Sequence, residues 1–144
     1  MYEIIILCLE QKLQLATEIM NCTKQIEVKL RQEEVDIVEL LKRRDGYRER
    51  LIKCDALLEK SIQALPLPDQ GTVSGVLKRT VSPPEGELAG LAALQEQFLE
   101  RIRQAETYNR EAISAAESGR ETVKKRLDKI KGQKAEAKKA LEKK

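Results

Sequence analysis

The sequence predicts an all-α protein, an elongated antiparallel bundle or coiled coil of three long helices in a single domain over residues 1–144. Two observations carry this prediction. Residues 1–64 contain one glycine and no proline, and so do residues 91–131. Aromatic residues make up 3% of the chain and charged residues 35%. A narrow interface of Leu, Ile, Val and Ala between helices needs little aromatic volume, whereas a compact globule uses more.

The first helical arm carries apolar residues at alternating spacings of three and four, as at an interface between helices. The positions that follow this spacing are Ile19, Thr23, Ile26, Leu30, Glu33, Ile37, Leu40, Arg44, Tyr47, Leu51, Cys54, Leu58, Ser61 and Leu65. The pattern is weakest around Gln32 and Glu33, and Asp36 followed by Glu39 has the form of a capping box. Two alternatives follow, a hairpin of helices 3–31 and 35–65 or one continuous helix.

A Pro/Gly-bearing segment, residues 66–82, follows the first arm. It contains Pro66, Pro68, Gly71 and Gly75. Proline and glycine are the residues that most often interrupt regular structure, so we expect a flexible, irregular connector between the helical arms. The alternative within it is one docked turn formed by Val73, Val76, Leu77 and Val81.

The clearest helix start is the sequence Ser-Pro-Pro-Glu at residues 82–85, which combines an N-cap serine with a first-turn proline. We expect a third helix over about 83–140 and a fraying basic tail over 132–144. A straight helix of that extent is about 87 Å long. We therefore expect it to bend, to break near Ser118–Gly119 or to pack on another chain.

The residues that usually carry catalysis or bind metals are scarce. The chain has no histidine, three cysteines and no glycine-rich phosphate loop. Its carboxylates lie beside Lys and Arg in patterns typical of exposed helix faces, which do not separate the pKa values of an acid–base pair. We predict a protein that is not an enzyme and that has no cofactor and no metal. Cys54 lies at the interface spacing and is expected to be a small buried hydrophobe.

The chain starts with a short apolar run, Ile4–Leu9. It is far shorter than a membrane span and has no preceding basic region, so we expect neither a signal peptide nor a membrane span. The run is interpreted as the first turns of a buried helix, with a surface that packs on a partner chain as the alternative. Unpaired cysteines at wide spacing favour a reducing, cytoplasmic location.

Charge is distributed unevenly along the chain. Residues 120–144 contain 11 Lys/Arg and 4 Asp/Glu, whereas residues 1–119 contain 16 and 20. Such a basic end can steer an acidic partner. Nucleic acid is not favoured as that partner, because acidic residues alternate with the lysines and no aromatic residue is interleaved to stack on bases.

Two stretches of the sequence resemble the flagellar type III export chaperones of the FlgN kind. The first runs from Leu30 to Leu58 and includes the residues Ile37, Leu40, Leu41, Arg44, Tyr47, Leu51 and Ile52. The second runs from Tyr108-Asn109 to Lys131-Gly132 and resembles the family's C-terminal helix. Two features differ from the family pattern: Gln32-Glu33 replaces a Gly-Asp turn, and Ala140-Leu141 replaces an aromatic–glycine ending.

The resemblance implies a non-enzymatic cytoplasmic chaperone that holds hook-associated flagellar proteins before export. Its C-terminal helical region would grip the amphipathic C-terminal segment of the cargo, and the export apparatus would be a further partner. Helix-in-groove recognition is consistent with a chain built of helices. The alternative is a structural coiled coil that self-associates as a homo-oligomer along the same apolar positions and has no separate cargo.

The cargo site is placed on the second arm, whose apolar stripe continues further than the first arm can cover. The predicted cargo-binding residues are Phe98, Ile102, Ile113, Val123, Leu127 and Ile130. The basic residues expected to steer an acidic partner are Lys124, Lys125, Arg126, Lys129 and Lys131. The competing interpretation is that the first arm fills these apolar positions and that they never contact cargo.

Overall fold

The computed structural model describes residues 1–32, 36–80 and 85–142, and in those ranges the chain is all-helical, with four helices and no strand. The helices are α1 (Glu3–Arg31), α2 (Val38–Gln63), α3 (Leu67–Leu77) and α4 (Glu87–Glu142). The all-α prediction is confirmed. The first arm forms two helices that pack against each other rather than one continuous helix. Glu33, in the predicted turn, lies outside the described residues, and the N-cap of α2 is Ile37 rather than Asp36.

Helix α1 is the central element, because it packs against both α2 and α4. Its Lys12 lies 2.7 Å from Asp55 of α2, and its Thr23 lies 3.4 Å from Arg44 of the same helix, so α1 and α2 run in opposite directions. Lys12 also lies over the ring of Phe98 of α4, and Lys24 lies over the ring of Tyr108. The second contact is further along both helices than the first, so α4 runs in the same direction as α1. Buried positions on α1 recur at the spacing of a helix face along its whole length: Ile5, Cys8, Leu9, Lys12, Leu15, Ala16, Ile19, Cys22, Thr23, Ile26 and Glu27.

The apolar core has two parts. The larger one lies near the start of α1 and joins all four helices, and its buried members are Ile5, Cys8, Leu9, Leu15, Cys54, Leu58, Ile62, Val73, Val76 and Leu91. The smaller one lies near the end of α1 and joins Ile26, Leu40 and Ala112. Cys54 is buried as predicted. We call the packed part of the molecule, α1 to α3 with residues 87–119 of α4, the body.

The connector is more regular than the sequence predicts, since α3 occupies residues 67–77. Pro68 lies in the first turn of α3, where a missing N–H is tolerated, so it does not act as a helix breaker. The helix ends in a Schellman motif: the backbone N–H of Thr80 donates to Gly75 and that of Arg79 to Val76. Arg79 takes the left-handed position of this motif, with φ 60°.

Helix α4 begins later than predicted and continues without interruption. Gly86 has φ +75°, which a right-handed helix cannot contain, so the helix starts at Glu87 rather than at residue 83. Residues 82–84 of the predicted cap lie outside the described residues. The predicted break near Ser118–Gly119 is wrong, because the helix is continuous for 56 residues to Glu142. At 1.5 Å per residue α4 is about 84 Å long and α1 about 44 Å.

Candidate functional site

The six predicted cargo-binding residues do not form one surface. Phe98 and Ile102 are half-buried in the body, and the Phe98 ring lies 4.3 Å from the ammonium group of Lys12. The other four, Ile113, Val123, Leu127 and Ile130, are 47–54% exposed. The first arm therefore covers the first two positions and leaves the last four open.

The open positions belong mainly to a part of α4 that extends past the body. We call residues 120–142 the overhang; it is about 34 Å long at helical rise. Past Thr122 every described residue of the chain is exposed. Helix α1 ends beside Glu111, to which Arg31 is paired at 3.6 Å. The overhang thus has no covering helix within the described part of the chain.

The apolar residues of the overhang continue the face of α4 that packs on α1. Eighteen residues make five full helical turns, so positions 18 apart point in the same direction. Val123 lies five turns beyond the buried Ala105, and Ile130 lies five turns beyond the buried Ala112. Leu127 lies ten turns beyond Leu91, a fully buried core residue. We call Val123, Leu127, Ile130, Ala137 and Leu141 the overhang stripe.

Basic side chains flank this stripe. The five predicted steering residues are all exposed, and within the described residues none of them forms an ion pair. Lys124 and Lys131 lie three and four residues from Leu127, and Arg126 lies four residues from Ile130. These are the spacings of neighbours on a helix surface, so the charges border the apolar residues.

A small-residue notch marks the place where the body ends and the overhang begins. The cavity there has a volume of about 380 Å³ and is lined by Leu30, Arg31, Glu111, Ser114, Ala115, Ser118, Gly119 and Thr122. A methyl group placed on Gly119 would meet no atom within 4 Å. The notch is therefore open space beside a helix surface of small side chains, which allows another backbone to approach closely.

Three polar clusters tie the helices of the body together. In the first, Lys12 of α1 is 2.7 Å from Asp55 and lies over the ring of Phe98. The only sequence signal was a lysine interrupting an otherwise apolar helix face. Buried charges are found where they are paired, so this cluster fixes how α1, α2 and α4 align.

The second cluster contains Asn109 and Arg44, the latter at a position that the sequence spacing predicts to lie at a helix interface. The Arg44 guanidinium donates to the Asn109 side-chain oxygen at 3.3 Å and to the Thr23 hydroxyl at 3.4 Å. Burial, with a smaller contribution from the neighbouring Arg48, lowers the pKa of Arg44. The third cluster links the buried Glu27 through Arg31 to Glu111 of α4.

The thiols do not have the surroundings of reactive nucleophiles. Burial raises the pKa values of Cys8, Cys22 and Cys54 above their ordinary value of 9.0. A raised pKa disfavours the thiolate, which is the nucleophilic and metal-binding form. Among the described residues there is also no group of three or more Cys, Asp or Glu side chains placed to hold a metal ion.

Comparison with protein-family models, with curated proteins and with solved structures finds no significant match to this chain. Within the described ranges, none of the helices combines the length and the apolar content needed to cross a membrane. The interpretation of the site therefore depends on the geometry of α4.

Proposed function

We propose that this chain is a non-enzymatic chaperone that binds an acidic, amphipathic helical segment of another protein along the overhang. In its specific form, the proposal follows the resemblance to the FlgN kind: the cargo is the C-terminal segment of a hook-associated flagellar protein, held in the cytoplasm before type III export. The proposal includes an elongated bundle of the three long helices, in which α3 is a docked connector.

One observation carries the proposal, the continuation of the packed face of α4 into a part of the helix on which none of the described residues of the other helices packs. Leu91 and Leu127 occupy the same side of one helix, yet the first is fully buried and the second is 52% exposed. An apolar stripe of this kind is typical of a surface that binds another protein. A partner helix laid on it would be held by positions spaced three and four apart, as in other helix-in-groove complexes.

The charge of the overhang favours an acidic partner over a second copy of the chain. Residues 120–142 contain 9 Lys/Arg and 4 Asp/Glu, a net charge of +5. Two overhangs packed on each other would bring two such segments together, and like charges across a helix interface are destabilising. A segment rich in Asp and Glu instead gains from the same lysines. This argues against the alternative of a self-associating structural coiled coil.

The flagellar part of the proposal is supported by the position of the second resembling stretch. It starts at Tyr108, beside Lys24 of α1, and ends at Gly132 in the overhang. It thus spans the end of the body, the notch and the first half of the overhang stripe. A family surface that grips cargo with its C-terminal helix would fall on the same residues.

Truncation after Gly119 tests the proposal. Calorimetry against a C-terminal peptide of a hook-associated protein should show at least a tenfold loss of affinity in the truncated chain. Leu127→Glu should give a similar loss in the full chain. Lys139→Gln, outside the five predicted steering residues, changes the net charge by the same single unit on the side of the helix opposite the stripe and should weaken binding less than threefold.

Analytical ultracentrifugation separates the two interpretations. If the truncated chain retains full affinity for the peptide, the site lies elsewhere. If truncation removes self-association and no peptide binds to either chain, the structural coiled coil is the correct alternative. If an acidic amphipathic peptide of unrelated origin binds as tightly as the flagellar one, the binding chemistry stands and the flagellar assignment does not.

A further inference from the structure

A second apolar surface lies on the body, far from the overhang. It is a groove between the first turns of α1 and the last turns of α2, formed by two adjoining cavities of about 390 Å³ each that share Ile4. We call it the α1–α2 groove. Its α1 side includes Ile4 and Leu7, and its α2 side includes Arg50, Lys53, Leu57 and Lys60.

The lining of the groove is apolar and open to solvent. Ile4, Leu7 and Leu57 are each more than half exposed. Ile4 and Leu7 form a second apolar face of α1, separate from the face of Ile5 and Leu9 that lies in the core. The first turns of α1 are therefore apolar on two sides, and only one of these sides is covered within the described residues.

The α2 side of the groove is basic. Arg50, Lys53 and Lys60 line it, and among the described ion pairs none involves these three residues. The lining contains one acidic side chain, Glu3, next to the terminal ammonium group of Met1. Charge complementarity thus points to an occupant with an apolar stripe and acidic borders.

We infer that the α1–α2 groove is a docking site for an acidic amphipathic helix of a partner protein, which would pack there as an additional helix across α1 and α2. A second copy of the groove is a poor occupant, because its own basic side would face Arg50, Lys53 and Lys60. The overhang of a second copy is equally poor, since it is also basic. The lining on α2 runs from Arg50 to Ser61, which corresponds to about 17 Å of helix.

This site is independent of the overhang. The groove lies at the start of α1, whereas the overhang begins beyond the other end of α1, about 44 Å away at helical rise. Loss of one surface leaves the other intact, so the two proposals stand or fall separately.

The groove contains its own reporters, because two of the three cysteines line it and the third does not. Cys8 and Cys54 lie on its floor, where the Cys54 thiol donates to the Cys8 carbonyl oxygen at 3.2 Å. Cys22 is buried elsewhere on α1. A helix docked in the groove would slow alkylation of Cys8 and Cys54 more than that of Cys22, which is buried elsewhere and reports the general stabilisation of the folded chain.

The probe for the experiment is an 18-residue synthetic helix with Leu at positions spaced three and four apart and Glu on both sides of that stripe. The control peptide has Lys in place of every Glu. Iodoacetamide labelling followed by peptide mass spectrometry gives the alkylation rate of each cysteine. We expect the acidic peptide to slow the labelling of Cys8 and Cys54 at least fivefold, and the basic peptide to have no effect.

Two exposed positions supply matched variants. Leu7→Glu introduces one negative charge in the groove, and Ile52→Glu introduces the same charge on α2 outside it. Both side chains are exposed, so both variants should fold, which the thermal midpoint verifies. Calorimetry is done in full-length chains that also carry Leu127→Glu, so that the peptide cannot use the overhang. Leu7→Glu should weaken binding at least tenfold and Ile52→Glu less than twofold.

Three results would overturn the inference. One is equal protection of the thiols by the acidic and basic peptides, and another is equal loss of affinity in the two variants. The third is a dimer in the ultracentrifuge that Leu7→Glu converts to monomer, since the groove would then be covered by a second copy.

Discussion

Two leucine-to-alanine substitutions on the same side of α4, Leu91→Ala and Leu127→Ala, compare the stability contribution of the covered part of that helix with that of the overhang. Leu91 and Leu127 are ten turns apart, are the same residue type and point in the same direction. Leu91 is 0% exposed in the larger part of the core, and Leu127 is 52% exposed. The two substitutions therefore remove the same atoms from different surroundings.

The expected magnitudes follow from burial. At Leu91 the substitution removes buried methyl groups and leaves a cavity in the larger part of the core, which costs about 3 kcal/mol of unfolding free energy. At Leu127, among residues 1–32, 36–80 and 85–142, the cover comes from neighbouring side chains of the same helix. The loss there is about 0.5 kcal/mol or less, and the higher helix propensity of alanine offsets part of it.

The assay is thermal unfolding followed by circular dichroism at several protein concentrations. With a shift of about 3 °C per kcal/mol, Leu91→Ala should lower the midpoint by about 10 °C and Leu127→Ala by no more than about 2 °C. Equal losses at the two positions would refute the conclusion that the overhang stripe is uncovered. Equal losses that also depended on protein concentration would identify a second copy as the cover.

Three further predictions concern the body. Asp55→Asn should lower the free energy of unfolding in urea by about 1–2 kcal/mol, because it leaves the buried Lys12 ammonium without its partner. Lys12→Met should stay within about 1 kcal/mol of the native chain, and a larger loss would contradict this account of the pair. Arg79→Gly should be at least as stable as the native chain, because glycine removes about 1 kcal/mol of left-handed backbone strain and the lost exposed ion pair with Glu96 contributes no more than that. Arg79→Ala should be less stable than both in urea unfolding, because it keeps the strain and loses the ion pair. Stability should fall above pH 9, because burial raises the pKa of the Cys54 thiol and the unfolded chain therefore loses this proton at lower pH than the folded chain. In Cys54→Ala the urea midpoint should decline less steeply between pH 8 and 10, and an unchanged slope would count against burial of Cys54 as the cause.

The sequence predicted the long helices well because helix interfaces leave a strong periodic pattern. The predicted bounds 3–31, 35–65 and 83–140 compare with Glu3–Arg31, Val38–Gln63 and Glu87–Glu142 in the structure. The errors arise where one residue has two structural uses. Proline was taken as a breaker at residue 68, although it lies in the first turn of α3, and the pattern at 82–85 indicated a helix start just before Gly86, whose left-handed backbone delays it.

The candidate site was predicted in part. Exposure of Val123, Leu127 and Ile130 could be inferred because the first two helices are too short to cover a third of that length. Ile113 is exposed for a different reason, since it lies in the packed part of α4 next to the buried Ala112 but faces away from the core. Coverage of Phe98 and Ile102 could not be inferred from the sequence, because it depends on how α4 is aligned along the length of α1. That alignment is set by contacts such as Lys12 with Phe98, between residues that no local pattern relates.

The order of the helices in space has a consequence for how the chain acquires its structure. Lys12 meets Asp55 across a separation of 43 residues and Phe98 across 86 residues. Doubling the length of a closed loop adds only about 0.6 kcal/mol of entropic cost, so loop length alone does not decide which contact forms first. Asp55, however, is synthesised before Phe98. The α1–α2 pair can therefore associate while the side of α1 that will receive α4 is still bare. During synthesis this side of α1 therefore stays exposed to solvent until about residue 112 has been added. Because the overhang enters none of these contacts, removing it should leave the refolding rate unchanged.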